Sequence, residues 1–393
     1  MNGILYMAWR YLAYNRVKTA ILVIAMMLIV YLPVGLNVLV GQSAAHLTAR
    51  AEATPLLVGA KGSAVELALN SLYFDSATPE LARYREAERI AESDLAEAIP
   101  LYVRYSARGY PIVGTSIEYL EFRGLSLAAG RPMAVLGECV VGAAVAADLG
   151  LAPGSSLVSS PENVFDLAGV YPLKMQVAGV LAPSFGPDDR AVFADIKTTW
   201  IIEGLGHGHQ DLDRSEAASG VLSREGSRIT ANASVVQYNE ITAENADSFH
   251  FHGDLGDNPI SAVLAVPHDA KAGVILQGRY EGADEPSQIL RPAIVIDDLL
   301  ATVLTIRSFV VAAMLIVGSG TLLTATLVFL LSLRVRRREL ETLFKIGGAR
   351  SRIAAVLCTE VVVVLALGVA LAAGLTEVTR RLGAEAIQRL ILS

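Results

Sequence analysis

The chain has 393 residues, of which 53% are hydrophobic and 18% charged, and a formal net charge of −7. Its mean hydropathy of +0.47 is typical of a membrane protein. A spanning helix needs roughly 20 residues, so three or four spans leave more than about 200 residues for a domain outside the bilayer. The length therefore excludes a simple channel bundle.

Three segments are apolar and long enough to cross a bilayer, and we predict transmembrane helices at residues 19–41, 306–333 and 353–376. The first contains no charged residue, the second none after Arg307, and the third only Glu360. The first apolar run is longer than the roughly 7 to 15 residues of a signal-peptide core, so we expect it to be retained as a span.

Basic residues predict the orientation of the chain. They are concentrated in the amphipathic lead (1–18) and in the short link between the second and third spans (334–352), which places both in the cytoplasm. The large domain at 42–305 is then periplasmic, and the tail at 377–393 is periplasmic or interfacial. Residues 42–306 hold 18 of the 32 Lys and Arg residues but 34 of the 39 Asp and Glu residues, a net charge of −16. This asymmetry favours a multi-pass protein of a bacterial inner membrane, in contact with membrane lipids.

The periplasmic domain is predicted to be mixed α/β. Thr78-Pro79-Glu80 is typical of a helix start, and the apolar spacing that follows predicts a helix to about Ala98. A short helix is expected at Ala143–Leu149, ended by Gly150. The polar stretch from Glu203 to Ser227 is predicted to be loop. Runs rich in β-branched residues predict strands at Leu101–Tyr105, Glu138–Val141, Leu173–Leu181, Arg190–Ile196 and Ile260–Val266.

Catalysis by this chain is not expected. The sequence contains no P-loop, no Gly-x-Ser-x-Gly elbow, no His-Glu-x-x-His helix and no Cys-x-x-Cys pair. The acidic domain lacks the basic stripe of a nucleic-acid-binding surface, so no nucleic acid is expected as a partner. We expect no cofactor on the chain itself.

Two histidine pairs, His207 with His209 and His250 with His252, are the only candidates for a metal site. On a strand, the i, i+2 spacing would put both imidazoles of a pair on one face, where they could bind a divalent metal. The alternative is that residues 206–209 are loop and that the second pair faces solvent from a strand whose phenylalanines point inward. We favour this alternative and expect the histidines to be dispensable.

The link between the second and third spans predicts a short amphipathic helix at the cytoplasmic surface. Leu340, Leu343, Phe344 and Ile346 recur at helical spacing, with Arg338 and Glu339 before them, and Gly347-Gly348 ends the helix. An interfacial elbow would explain this pattern. A coupling element that docks on a cytoplasmic partner would explain it equally, because exposed apolar residues need a surface to bury against.

The run from Arg334 to Ile353, followed by Glu360, resembles the cytoplasmic loop of MacB/FtsX-type (type VII) ABC transporter permeases. The lead Ala8–Thr19 is similar to the amphipathic lead of the same family. In the predicted periplasmic domain, Val177–Leu181 and Pro187–Phe193 also resemble it. The order of span, large domain, span, loop and span agrees with that of the family.

This resemblance implies a homodimeric permease that works with a separate cytoplasmic ABC ATPase, on which ATP and Mg²⁺ bind. In the family, ATPase closure is passed through the loop to the periplasmic domains, a motion called mechanotransmission. The resemblance assigns ATPase contact to Arg338, Glu339, Leu340, Leu343, Gly347 and Gly348. It also implies export or extraction of a substrate, with a periplasmic adaptor as a further partner. The alternatives are an FtsX-like signalling protein that activates an envelope enzyme and a metal-handling membrane protein.

The sequence departs from the family at its end. Members usually have four spans, whereas residues 377–393 are too short and too charged to cross the membrane. Either this branch lacks the fourth helix or an extra small membrane subunit supplies it, and the tail would then lie on the outer membrane surface as an amphipathic helix. Within the third span, Glu360 is a functional candidate by default, but we expect it to reach an Arg or Lys at the cytoplasmic interface.

The topology can be tested by labelling with a membrane-impermeant thiol reagent. A cysteine placed at Ser393 should react in intact spheroplasts, because the basic segments place the chain end outside. The protein with only its native Cys139 and Cys358 serves as the background control. Labelling of residue 393 only after permeabilisation would contradict the three-span topology.

Overall fold

The computed structural model describes residues 2–75, 78–160, 172–208, 221–225, 228–231, 239–242, 244–282, 284–345 and 349–391. These residues form two compact units. We call residues 2–47 with 300–391 the helical unit, and residues 48–299 the α/β unit.

The helices of the described residues are α1 (Asn2–Tyr14), α2 (Arg16–Glu52), α3 (Ala64–Tyr73), α4 (Arg85–Glu92), α5 (Glu118–Phe122), α6 (Ala143–Leu149), α7 (Ile196–Glu203), α8 (Ala270–Arg279), α9 (Pro292–Val335), α10 (Arg337–Lys345) and α11 (Arg350–Ile391). The strands are β1 (Leu56–Ala60), β2 (Ala82–Arg83), β3 (Ala96–Ala107), β4 (Tyr110–Thr115), β5 (Leu127–Gly130), β6 (Glu138–Val141), β7 (Ser156–Val158), β8 (Lys174–Leu181), β9 (Val192–Asp195), β10 (Gly206–Gly208), β11 (Val221–Glu225), β12 (Arg228–Ala231), β13 (Phe249–Phe251), β14 (Pro259–Ile260), β15 (Ala262–Pro267) and β16 (Ser287–Leu290).

The α/β unit is built on a mixed sheet, in which ten of the described strands take part. Its order is β16-β1-β15-β3-β4-β9-β6-β8-β5, and β7 pairs with β8. The pairs β4–β9 and β6–β8 are parallel, and the other neighbours are antiparallel. Trp200, Tyr102 and Phe193 are fully buried, which places the core around the middle strands.

Several local predictions are confirmed. The strand at Glu138–Val141 and the helix at Ala143–Leu149 have the expected bounds. Gly150 ends that helix in the left-handed conformation, with φ +63°, which a residue with a side chain rarely adopts. The other four predicted strands overlap β3, β8, β9 and β15, with bounds that differ by one or more residues.

The predicted helix from Thr78 to Ala98 is wrong at both ends. The helix α4 is eight residues long, because Ala82–Arg83 pairs with β14 before it begins. After it, Asp94 adopts a positive φ of 54°, and β3 starts at Ala96 to pair with β15. Pairing with distant strands therefore overrides the local helical spacing.

The predicted loop from Glu203 to Ser227 contains two strands. β10 pairs with β13, and β11 pairs with β12. Residues 209–220 lie outside the described residues, and His209 is among them. Turn-forming glycines suggested a loop here, yet Gly206 and Gly208 are strand residues.

In the helical unit, α2, α9 and α11 are long and apolar enough to cross a membrane. α9 has 44 residues, or about 66 Å at roughly 1.5 Å per residue, which exceeds the roughly 30 Å of a hydrocarbon core. The backbones of α2 and α11 approach closely at Gly368, where an added Cβ would lie 2.7 Å from Cβ of Met26. A small residue at position 368 therefore permits this close packing of the two helices.

The tail at 377–391 is not a separate surface helix, because α11 continues through it to Ile391. Tyr31 Oη lies 2.8 Å from Thr379 Oγ1, and Gln42 donates to the carbonyl of Arg380 at 3.0 Å, so this part of α11 runs beside α2. No proline interrupts the segment, and Glu377 pairs with Arg380 and Arg381 along the helix.

Candidate functional site

The last turn of α2 belongs to the α/β unit and is held there by one arginine. Arg50 Nη1 lies 2.6 Å from Asp188 Oδ2, and Nη2 lies 3.0 Å from Asp188 Oδ1 and 2.9 Å from Tyr119 Oη. Arg50 Nε also donates to the carbonyl of Leu72 at the end of α3. We call these four residues the Arg50 cluster.

The Arg50 cluster is buried, and the charge of Arg50 is paired with that of Asp188. The side chains of Arg50 and Asp188 are 12% and 3% exposed. Burial raises the pKa of Asp188, but the charge and hydrogen bonds of Arg50 and the hydrogen bond from Tyr119 outweigh burial, so the pKa lies below its ordinary value. Burial raises the pKa of the Tyr119 phenol, which stays protonated and donates to Asp188 at 2.8 Å. A bidentate pair of this geometry fixes direction as well as distance.

A second buried ion pair lies in the helical unit. Arg336, between α9 and α10, donates from Nη1 to Oε2 of Glu360 at 3.1 Å and to Oε1 at 3.3 Å. The Glu360 side chain is 3% exposed, and the Arg336 guanidinium lies 3.5 Å from the ring centre of Tyr11 on α1. Glu360 thus has the basic partner that the sequence predicted, and the pair joins α1, the start of the loop and α11.

The loop between α9 and α11 forms the predicted short helix as α10. Arg338 is exposed, and Phe344 is 48% exposed, with the Arg350 guanidinium 5.1 Å from its ring centre. A surface groove of about 470 Å³ lies between α10 and the first turns of α11, lined by Arg337, Glu341, Phe344, Lys345, Arg350, Ile353, Ala354 and Leu357.

The structure describes only part of the predicted ATPase-contact set. Glu339, Leu340 and Leu343 lie on the α10 backbone, and their side chains are outside the described part. Ile346, Gly347 and Gly348 lie wholly outside the described residues. Their role stays a prediction, to which the described residues add Phe344.

Three of the four paired histidines converge on one face of a two-stranded sheet. β10 and β13 are antiparallel, with His207 opposite His250, and His252 follows two residues later. The ring centres of the three are 4.8 to 5.0 Å apart. We call His207, His250 and His252 the histidine cluster.

Glycines opposite phenylalanines produce this arrangement. A Cβ at Gly206 would lie 2.5 Å from the Phe251 ring, and one at Gly208 would lie 2.5 Å from the Phe249 ring. Both phenylalanines pack against the core of the α/β unit, as the sequence predicted. Because successive strand residues alternate between faces, the histidines lie together on the other face.

Sequence reasoning missed the Arg50 cluster. Asp188 lies in the Pro187–Phe193 run that resembles the permease family, but nothing local indicates its partner 138 residues away. A signal was present at Arg50, the one basic residue in the last turn of a long, mostly apolar helix. A basic residue at the end of such a helix is a candidate for pairing with an acidic residue elsewhere in the fold.

The described residues combine three helices that are long and apolar enough to cross a membrane with a mixed α/β unit. The sequence matches the model of the MacB-like periplasmic core domain over residues 19–236, more than half of the chain. A comparison with curated proteins finds no match.

Two solved structures are similar to the chain at low sequence identity. The periplasmic region of MacB from Actinobacillus actinomycetemcomitans is 8% identical, with a TM-score of 0.34, over 63% of this chain and 92% of its own. The extracellular domain of the noncanonic ABC-type transporter YknZ from Gram-positive bacteria is 12% identical, with a TM-score of 0.31, over 60% and 98%.

The family assignment rests on the sequence match. The chain belongs to the family with a MacB-like periplasmic core domain, and its resemblance to MacB/FtsX-type transporter permeases is thereby confirmed. Membership implies an ABC ATPase as partner and a location in a bacterial membrane.

Replacing Asp188 with Asn should destabilise the α/β unit by about 3 to 5 kcal/mol, because Arg50 would stay buried without a counter-charge. Hydrogen exchange of the sheet peptides in the full chain measures this loss. Asp284→Asn, at an exposed position, is the matched control and should change little.

The stability that Asp188 contributes should also depend on pH, and the same measurement tests this. Because the folded-state pKa of Asp188 lies below the ordinary 3.8, the contribution of the carboxylate is complete above that value. It is lost as the pH falls through the lower folded-state pKa. Wild type and Asp188→Asn should therefore differ most above about pH 4 and converge below it. Equal stability at neutral pH would show that the Arg50 cluster does not stabilise the unit.

Replacing Glu360 with Gln should lower the free energy of unfolding of the helical unit by roughly 3 kcal/mol, because Arg336 would lose the charge that neutralises it. Unfolding of the detergent-solubilised chain, followed by circular dichroism, measures the change. Glu341→Gln is the control, since its partner Arg337 is 81% exposed and such surface pairs contribute about 0.2 to 1 kcal/mol. Equal effects of the two variants would contradict a structural role for the buried pair.

Proposed function

We propose that this chain is the permease subunit of an ABC transporter in a bacterial inner membrane, working as a homodimer with a separate ATPase. ATP-driven motion of the ATPase is passed through α10 to the α/β unit, which exports or extracts a substrate on the periplasmic side. ATP and Mg²⁺ bind to the ATPase, and this chain is the non-catalytic, force-transmitting part.

The observation that carries this proposal is the continuity of two helices. α2 and α9 have no break at the boundaries between the units, residues 47/48 and 299/300. Arg50, near the end of α2, is held in the α/β unit by its cluster. Ile296, near the start of α9, is completely buried. A continuous helix held at its end carries displacement with little loss, whereas a flexible linker would not.

In this proposal, α10 forms the cytoplasmic surface on which the ATPase docks. Phe344 exposes a large apolar surface in the groove between α10 and α11, and basic Arg337, Lys345 and Arg350 also line this groove. An amphipathic helix with an apolar face and charged edges is suited to dock into a groove on a partner. The buried Arg336–Glu360 pair directly before α10 would pass displacement of this helix to α11 and α1.

The test is to place a negative charge on the docking face of α10. Phe344→Glu and Leu343→Glu would each bury an unpaired carboxylate against the ATPase and should weaken docking at least about 100-fold. The measurements are co-purification of the P-loop ATPase in mild detergent and ATP hydrolysis by the reconstituted complex. Both should be lost, while the α/β unit stays folded.

Thr342→Glu is the matched control. Thr342 is exposed on the same helix, about 200° around the axis from Phe344, so the same charge would point away from the ATPase. This variant should keep the ATPase and its activity. Retention of the ATPase by both Phe344→Glu and Leu343→Glu would reduce α10 to an interfacial elbow and contradict the proposed coupling.

A further inference from the structure

We propose that the histidine cluster is a binding site for a divalent transition metal of the Zn²⁺ class on the α/β unit. One ligand nitrogen from each of His207, His250 and His252 lies within 4.8 Å of the others. This inference is independent of the coupling mechanism proposed above, because it rests on a different part of the chain.

The three candidate nitrogens are near enough to one another to share one ion. Zn²⁺ lies about 2.0 to 2.1 Å from each imidazole nitrogen, so tetrahedral ligands are about 3.3 Å apart. Ligation would therefore draw the three nitrogens together from their present spacing of up to 4.8 Å. His207 and His250 are held by strand pairing, and His252 is exposed, which leaves it free to complete the set.

A hydrogen bond sets the tautomer of the central ligand. His250 Nδ1 lies 2.9 Å from the carbonyl oxygen of Ser248. A carbonyl only accepts, so Nδ1 carries the proton and the lone pair of the neutral ring is on Nε2. Metal-binding histidines commonly donate the second ring nitrogen to a carbonyl in this way, which orients the ring and raises its basicity.

The phenylalanine face of the two-stranded sheet packs against the core, and the negative net charge of the surrounding domain favours cation binding. Phe249 and Phe251 pack into the core behind the histidines, and Gly206 and Gly208 admit their rings. Residues 42–306 carry a net charge of −16, which raises the local concentration of divalent cations. Three neutral nitrogen ligands suit Zn²⁺, Cu²⁺ or Ni²⁺ better than Mg²⁺ or Ca²⁺, which prefer oxygen.

Three protein ligands leave one tetrahedral position open to water or another ligand. Together with the exposure of His252, this favours reversible loading over a closed structural site. The sequence alone favoured solvated, dispensable histidines. The spatial convergence of two strands more than 40 residues apart along the chain is what changes that interpretation.

The test is equilibrium dialysis of the full chain in detergent against Zn²⁺, followed by elemental analysis. Wild type should bind one Zn²⁺ per chain, and His207→Ala, His250→Ala and His252→Ala should each weaken binding at least about 10-fold. His268→Ala is the matched control, since His268 is exposed in the same unit and lies outside the cluster. It should bind like wild type.

Two further measurements separate ligation from folding. Co²⁺ should give the visible absorption of a tetrahedral nitrogen-ligated ion in wild type and His268→Ala, but not in His250→Ala. Hydrogen exchange should show the sheet of the α/β unit intact in every variant. Failure of wild type to bind Zn²⁺, or binding by the three cluster variants as tight as that of wild type, would overturn the proposal. Both results are separable from failure of ATPase docking, which involves α10.

Discussion

The ion pair between Arg50 and Asp188 is the interaction on which the rest of the architecture depends. It ties the last turn of α2 to the turn before β9, with both charges almost completely shielded from water. Isolated burial of either charge would be costly, so the pair is stable only when both partners and Tyr119 are in place. The helix end and the sheet therefore have one relative position within the α/β unit.

A similar buried ion pair lies in the helical unit. Arg336 and Glu360 form a buried pair beside the Tyr11 ring, at the point where α9 gives way to α10. Each of the two buried pairs fixes the contact between its own elements within one unit. The proposed function needs such stiffness, because displacement of a short cytoplasmic helix is dissipated at every flexible joint.

Local structure was predictable where local signals decide it. The strand at Glu138–Val141 and the helix ending at Gly150 follow from composition and from a residue that tolerates positive φ. The three apolar helices were predictable from hydropathy, since a single segment can satisfy its backbone hydrogen bonds within a bilayer only as a helix. The helix predicted from Thr78 failed because Ala82 pairs with Ile260, a partner that no local pattern reveals.

The other features of the candidate sites were not predicted because they depend on contacts between residues far apart in the sequence. The i, i+2 histidine pairs were visible in the sequence, but strand register alone places His207 opposite His250. The partner of Arg50 was equally hidden, although Asp188 lay in a segment that resembled the permease family. For Glu360 the sequence predicted the kind of partner, since an intramembrane carboxylate near a basic loop has few other ways to be neutralised.

The central claim is that ATP-driven motion reaches the α/β unit. The most direct measurement is the distance between two spin labels at Val274, one on each copy in the proposed homodimer of the reconstituted complex. Val274 lies on α8 and is 70% exposed. Double electron–electron resonance would compare the nucleotide-free and ATP-trapped states, with the native Cys358 replaced by Ser. The account predicts a shift of the distance distribution between these states. Identical distributions in a complex that hydrolyses ATP would contradict it.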